Sequence, residues 1–135
     1  MSDDREFVEN NEDTSMYPTE LVEKARNPKY FGRLNDPTSS AFVKGPCGDE
    51  MEFYLVITDN IIEDVRYYTK GCLSTLICGS ATAELAMGKS IYDALDISPK
   101  KVIDTLHGLP DEGCHCTILA VSTLYKAIAD YLLKP

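Results

Sequence analysis

The chain has 135 residues, enough for one domain and too few for two independent cores. Hydrophobic residues make up 44% and charged residues 26%, a balance that excludes global disorder. Lys and Arg number 13 against 22 Asp and Glu, a net charge of −9 with no basic stripe, so no nucleic-acid and no anionic-membrane partner is expected.

Residues 1–16 read as a disordered acidic leader ahead of one domain over 17–135. Residues 1–20 carry seven acids and a single base, Arg5, so most of the negative charge sits there. The opening MSDDREFVENNED has no apolar core and resembles neither a signal peptide nor an Arg-rich transit peptide. No stretch approaches the roughly 20 apolar residues of a membrane span. A cytoplasmic protein is the expectation.

From Tyr17, YPTELVEKARNP predicts a short helix, capped by Thr19, with Leu21, Val22 and Ala25 on one face. Asn27-Pro28 ends it, because the residue before proline is pushed out of the α region. Residues 29–40 predict a loop. Alternation of Met51, Phe53, Leu55 and Ile57 with Glu52, Tyr54, Val56 and Thr58 predicts a strand. After a turn at Asp59-Asn60, Ile61–Lys70 predicts its hairpin partner, and Ala41–Val43 adds a short third strand.

At Gly71 the period changes to helical, with Leu73, Leu76, Ile77, Ala81 and Leu85 on one face and Glu84 near its middle, up to Gly88. Ser90 with Asp93, and Ser98 with Pro99, cap two short helices. After a break at HGLPDEG, a last helix runs from about Cys116 to Leu133. Its expected buried stripe is Ile118, Val121, Leu124, Tyr125, Ile128 and Leu132. Strands first and helices afterwards predict an α+β fold: a small three-stranded antiparallel sheet with helices packed on one face.

The five cysteines are Cys47, Cys72, Cys78, Cys114 and Cys116. An odd count in a reducing compartment argues against a disulfide framework. Cys47, in Gly45-Pro46-Cys47-Gly48-Asp49, lies in a turn before the hairpin. Cys72 and Cys116 open helices, where the positive end of the dipole favours thiolate, the metal-binding and nucleophilic form. Asp49 is close enough to Cys47 to join the same site. No CxxC pair is present, so spacing alone is no metal signature.

The segments GPCGD (45–49), KGCLS (70–74), TAELAMGKS (82–90) and HCTILA (115–120) together resemble the iron–sulfur cluster assembly scaffold family, the IscU proteins and the N-terminal domain of NifU. NPKYFGRL (27–34) resembles that family's Asn-Pro-Arg-Asn-x-Gly stretch, and the resemblance covers about Tyr17 to Tyr131. It implies a scaffold, not an enzyme, that receives sulfur from a cysteine desulfurase. The scaffold would assemble a [2Fe–2S] cluster with iron and transfer it to apo-acceptor proteins. The implied ligands are Cys47, Cys72 and Cys116, with Asp49 or His115 as the fourth; zinc can stand in place of the cluster, and a homodimer bridged by one cluster stays open.

The family's Leu-Pro-Pro-Val-Lys stretch, which an Hsp70 chaperone recognises, is here Leu109-Pro110-Asp111-Glu112-Gly113, so that chaperone is a doubtful partner. Cys114 is an extra thiol beside His115: an alternative ligand, a sulfur relay or chance. Cys78 reads as structural, His107 as a helix-end cap, and Glu84 as a buried hydrogen-bonded carboxylate. The competing functional reading is a zinc-bound sulfurtransferase acceptor that stimulates a cysteine desulfurase with the same residues. A cysteine-nucleophile enzyme fits poorly, because His115 and Cys116 are adjacent and project about 100° apart on a helix.

Overall fold

The computed structural model describes residues 16–46 and 48–134. Cys47 and residues 1–15, nearly all of the expected leader, lie outside the described residues. Helix α1 spans Thr19–Arg26 and buries Leu21, Val22 and Ala25, as the apolar spacing predicts. Its cap differs from the expectation. Pro18 occupies the N-cap and Thr19 is the first helical residue, so the threonine makes no cap bond. The helix ends before Asn27-Pro28, where proline forbids continuation.

Three strands follow: β1 (Ser39–Lys44), β2 (Glu50–Thr58) and β3 (Ile61–Thr69). They form one antiparallel sheet in the order β1-β2-β3. β1 begins two residues before its predicted start. The hairpin turn has φ 53° at Asp59 and φ 64° at Asn60, the pair of left-handed residues that a tight two-residue turn needs. Met51, Phe53 and Leu55 of β2 and Val65 and Tyr67 of β3 point inward and are fully buried. Between Val56 and Ile57 the register shifts, so Ile57 pairs with Ile62 and the inward alternation resumes out of step.

All helices pack on the inner face. Helix α2 (Leu73–Ala86) lies on β3, and the last helix, α5 (His115–Leu133), crosses β1 and β2 and packs on α2. The short α3 (Ile91–Ala94) and α4 (Pro99–Leu106) carry the chain between them, capped by the predicted hydroxyls. Ser90 Oγ accepts from Asp93 N at 3.0 Å and Ser98 Oγ from Lys101 N at 3.1 Å. His107 takes φ 45° and caps α4, as its place before Gly108 suggests. A single 3₁₀ turn, Asp111–Gly113, occupies the predicted break. The outer sheet face is polar: Arg33 forks onto Glu52 at 2.9 Å and stacks over the Tyr68 ring at 3.9 Å.

Two burial expectations fail. Glu84 faces solvent and pairs with Lys24 at 3.7 Å; it is no buried carboxylate. On α5, Ile118 and Leu132 are exposed and Tyr125 is half-buried, while Thr117, Leu119, Ala120, Thr123 and Ala127 join Val121, Leu124 and Ile128 inside. α5 meets the sheet on one side and α2 with α4 on the other, so its buried arc is wider than a stripe and is filled with small residues. By length and composition alone residues 111–133 would reach across a bilayer, contrary to the expectation from runs of apolar residues; the fold uses this stretch as a core helix.

Candidate metal centre

Three chain segments meet at one end of the fold: the β1–β2 loop and the first turns of α2 and α5. In the loop, Gly45 N donates to Asp49 O at 2.7 Å and Gly48 N to Gly45 O at 3.0 Å, with Gly48 in the left-handed region at φ 96°. This closed turn sets Asp49 just before β2. Cys72 occupies the N-cap of α2 with extended backbone (φ −72°, ψ 177°), and its carbonyl accepts the first helical bond, from Leu76 N at 3.1 Å. Cys116 is the second residue of α5, which begins at His115, one residue before the predicted start. Both sulfurs therefore lie at positive helix ends, where anions are favoured.

Asp49, Cys72 and Cys116 each present one ligand atom within 4.8 Å of the other two. That separation is about twice a metal–sulfur bond of ~2.3 Å, so the set is compact enough to close around one small cation. Cys72 Sγ lies 3.6 Å from Asp49 Oδ2. Asp49 and Cys72 are half-buried and Cys116 is buried, which leaves the site open on one side. Gly71 makes the approach possible. A Cβ there would sit 2.9 Å from the Thr75 side chain and 3.0 Å from the Asp49 carboxyl carbon.

Cys72 and Cys116 titrate as a coupled pair. The neighbouring Cys116 and the Thr75 hydroxyl pull the Cys72 thiol down to about 6, against the opposing effects of burial and the Asp49 charge. The neighbouring Cys72, with burial, holds the Cys116 thiol well above its ordinary value.

His115 is exposed, and its Nε2 lies 3.7 Å from Cys116 Sγ. Among the described residues it stands beside the three-residue cluster and is not part of it. Cys114 is half-buried, caps α5 and directs its thiol to Pro110 O at 3.7 Å. Cys78 is fully buried, and burial drives its thiol upward, as befits a structural residue. Thr75, which was not among the expected site residues, joins the cluster. Its Oγ1 lies 2.6 Å from Asp49 Oδ2, 3.4 Å from Cys72 Sγ and 3.5 Å from Cys116 Sγ. The available signal was its spacing, three residues after Cys72 on a predicted helix, which puts both on one face. Tyr17 was likewise unassigned; its hydroxyl bonds Ser74 Oγ at 2.5 Å, tying the start of the domain to the first turn of α2. Next to Cys116 and His115, an apolar groove of about 290 Å³ opens between Val43, Pro46, Ile118 and Leu119.

The family model described as NifU-like N terminal domain matches residues 16–135. The iron-sulfur cluster assembly scaffold protein IscU 1 of Archaeoglobus fulgidus is 38% identical over 120 residues, covering 88% of this chain and 78% of that protein. The protein named IscU in Aquifex aeolicus, also called a scaffold protein, is 37% identical over 121 residues, covering 87% and 77%. Among solved structures, the N-terminal part of a NifU-like protein from Brucella abortus superposes with a TM-score of 0.69. At 19% identity, and covering 90% of this chain and 98% of that one, it supports the fold alone. The likeness agrees with the expected α+β architecture, which this chain shows as one three-stranded antiparallel sheet with helices packed against it. With the family model matched from Met16 to the end, and relatives above 30% identity along most of their length, this chain belongs to the NifU-like N-terminal domain family.

Proposed function

We propose that this protein is an iron–sulfur cluster assembly scaffold. It takes sulfur from a cysteine desulfurase, combines it with iron as a [2Fe–2S] cluster and hands that cluster to apo-acceptor proteins in the cytoplasm, without turning over a substrate of its own. The domain that does this is 17–135, and the acidic leader 1–16 lies outside it. The observation that carries the reading is the meeting of Asp49, Cys72 and Cys116 within 4.8 Å at two helix N-termini. Cys47, outside the described residues, adds the third thiolate in this reading, because it lies two residues before Asp49 in the sequence.

The chemistry follows from the donors. Thiolates suit iron–sulfur and zinc sites. A carboxylate is the harder donor and binds such a centre less tightly than a fourth thiolate would. A scaffold has to release its cargo, and an Asp in the ligand set supplies the weak point. In this reading His115, whose Nε2 lies 3.7 Å from Cys116 Sγ, is the alternative fourth ligand to Asp49. A Cys72 thiol pulled down toward about 6 loses its proton to an incoming cation more readily than an ordinary thiol. Zinc fits the same donors and would hold the site closed against iron.

The test is anaerobic incubation with ferrous iron, cysteine, a cysteine desulfurase and dithiothreitol as reductant, followed by an apo-ferredoxin. Visible charge-transfer bands that form on this chain and then pass to the ferredoxin support the reading. Tightly held zinc and a persulfide on a cysteine, with no bands, would replace it with a sulfur-acceptor role.

A further inference from the structure

Thr75 is placed unlike any other helical threonine whose bond is described. Thr82, Thr105 and Thr123 donate to the carbonyl four residues earlier, at 2.7, 2.9 and 2.7 Å, and Thr117 donates to Cys114 O at 2.6 Å. This is the ordinary way a helix absorbs a threonine hydroxyl. Thr75 instead reaches off its helix to a carboxylate 26 residues away in sequence, at 2.6 Å. Its side chain is fully buried, where a valine of the same shape would fill the space without a polar group to satisfy.

A hydroxyl has one proton and two lone pairs. Asp49 Oδ2, the closest partner and a pure acceptor, takes the proton. Cys72 Sγ and Cys116 Sγ lie 3.4 and 3.5 Å from the same hydroxyl oxygen, so Thr75 stands at the centre of the cluster. One lone pair of Asp49 Oδ2 is therefore taken up inside the protein, which leaves this carboxylate less free to bind a metal through both oxygens.

We propose that Thr75 is a positioning residue that keeps Asp49 a one-oxygen, readily exchanged ligand and so sets the rate at which cargo leaves the site. The inference rests on the scaffold reading. A hydroxyl bond at Oδ2 opposes the turn that would let the carboxylate grip a metal with both oxygens, and the donated bond draws charge from the group that binds. Without the hydroxyl, Asp49 is free to chelate, and release slows. Partners of this kind typically change metal affinity or activity by 10–100-fold.

The experiment compares wild type, Thr75→Val, Thr75→Ser, Asp49→Ala and the Thr75→Val/Asp49→Ala pair. Cluster transfer to apo-ferredoxin and zinc release to a chelator are both timed. Thr75→Val is expected to slow both by about tenfold, at the low end of that range, and Thr75→Ser to restore them. In the Asp49→Ala background Thr75→Val should add nothing. In metal-free protein, the carboxyl carbon resonance of labelled Asp49 should move in Thr75→Val and return in Thr75→Ser. If Thr75→Val does not fold by far-ultraviolet circular dichroism, Thr75→Ala carries the same comparisons. Wild-type rates in the valine variant, or an equal slowing with and without Asp49, would overturn the role given to Thr75. A wild type that forms no transferable cluster overturns the scaffold reading instead, while zinc release still tests Thr75.

Discussion

Helix α2 carries the same two residue types at both of two places, and they behave oppositely. In the first turn, Cys72 is half-exposed at the N-cap with its thiol held near 6, and Thr75 bonds a carboxylate on another segment. Midway along, Cys78 is sealed in the core with its thiol pushed up, and Thr82 bonds back to Cys78 O at 2.7 Å. Six residues separate the two cysteines. What differs is the neighbourhood: a positive helix end, a facing thiol and a carboxylate in one place, apolar packing in the other. The chemistry of a cysteine here is decided by its address in the fold.

The sharpest way to break this contrast is to remove the thiols one at a time. Ala at Cys72, Cys116 or Cys47 should abolish stable cluster assembly, read as loss of the visible bands. Cys78→Ala should assemble normally while losing about 1–2 kcal/mol of stability from the small cavity it leaves, read by urea denaturation. A Cys78 variant that folds but cannot assemble would place that thiol in the site and end the distinction.

A second comparison uses pH. In metal-free protein, iodoacetamide should reach Cys72 as a thiolate at pH 7, and the rate should fall as pH drops through about 6. An ordinary thiol loses reactivity through about 8.5. The expected advantage of Cys72 at pH 7 is about two- to threefold, reduced from a thiolate ratio of about 30 by the lower nucleophilicity of a more acidic thiol. Cys78 should stay unlabelled until the protein unfolds. Mass spectrometry of the labelled peptides reads both cysteines, and a Cys72 that titrates near about 8.5, the ordinary thiol value, would remove the influence of Cys116 from the account.

Gly71 links the two regions, since it fixes where α2 starts. Gly71→Ala puts a Cβ 2.9 Å from Thr75 and 3.0 Å from Asp49. The two side chains must part, at a cost of about 1–3 kcal/mol for such crowding. Zinc affinity should fall by roughly tenfold, as for other changes that reorient a ligand, while Gly88→Ala, remote from Asp49, should leave affinity unchanged. Equal affinity in Gly71→Ala and wild type would mean that Asp49 does not depend on this approach.

How much of this was legible in the sequence depends on how local the signal was. The Asp59-Asn60 turn, the Ser90 and Ser98 caps and the proline stop after α1 are each written within four residues, and each lies where expected. Asp49, Cys72 and Cys116 were found because each sits at an element end beside a glycine or a histidine. Thr75 was missed because its partner lies 26 residues back, in a loop whose course no periodicity reveals. Ile118 was placed inside because α5 has apolar residues on most sides, and only the position of the sheet and of α2 selects among them. Thr19 was read as a cap from its residue type, though Pro18 is equally suited to precede a helix.

Glu84 is the mildest case and sharpens the contrast within α2 from its outer side. Its place among apolar residues suggested a buried carboxylate, and such a group would be costly to leave unpaired, at about 3–5 kcal/mol when its partner is removed. The structure instead gives it solvent and Lys24 at 3.7 Å, with about half of each side chain exposed. An exposed pair of that length is worth about 0–1 kcal/mol. Glu84→Ala should therefore change the free energy of unfolding by no more than that, and 1 M salt should erase the difference, because screening acts on exposed charges first. Lys24→Ala should match it within the same range. A loss above 2 kcal/mol that persists in high salt would mean that the carboxylate is held inside, and the exposed face of α2 would have to be redrawn.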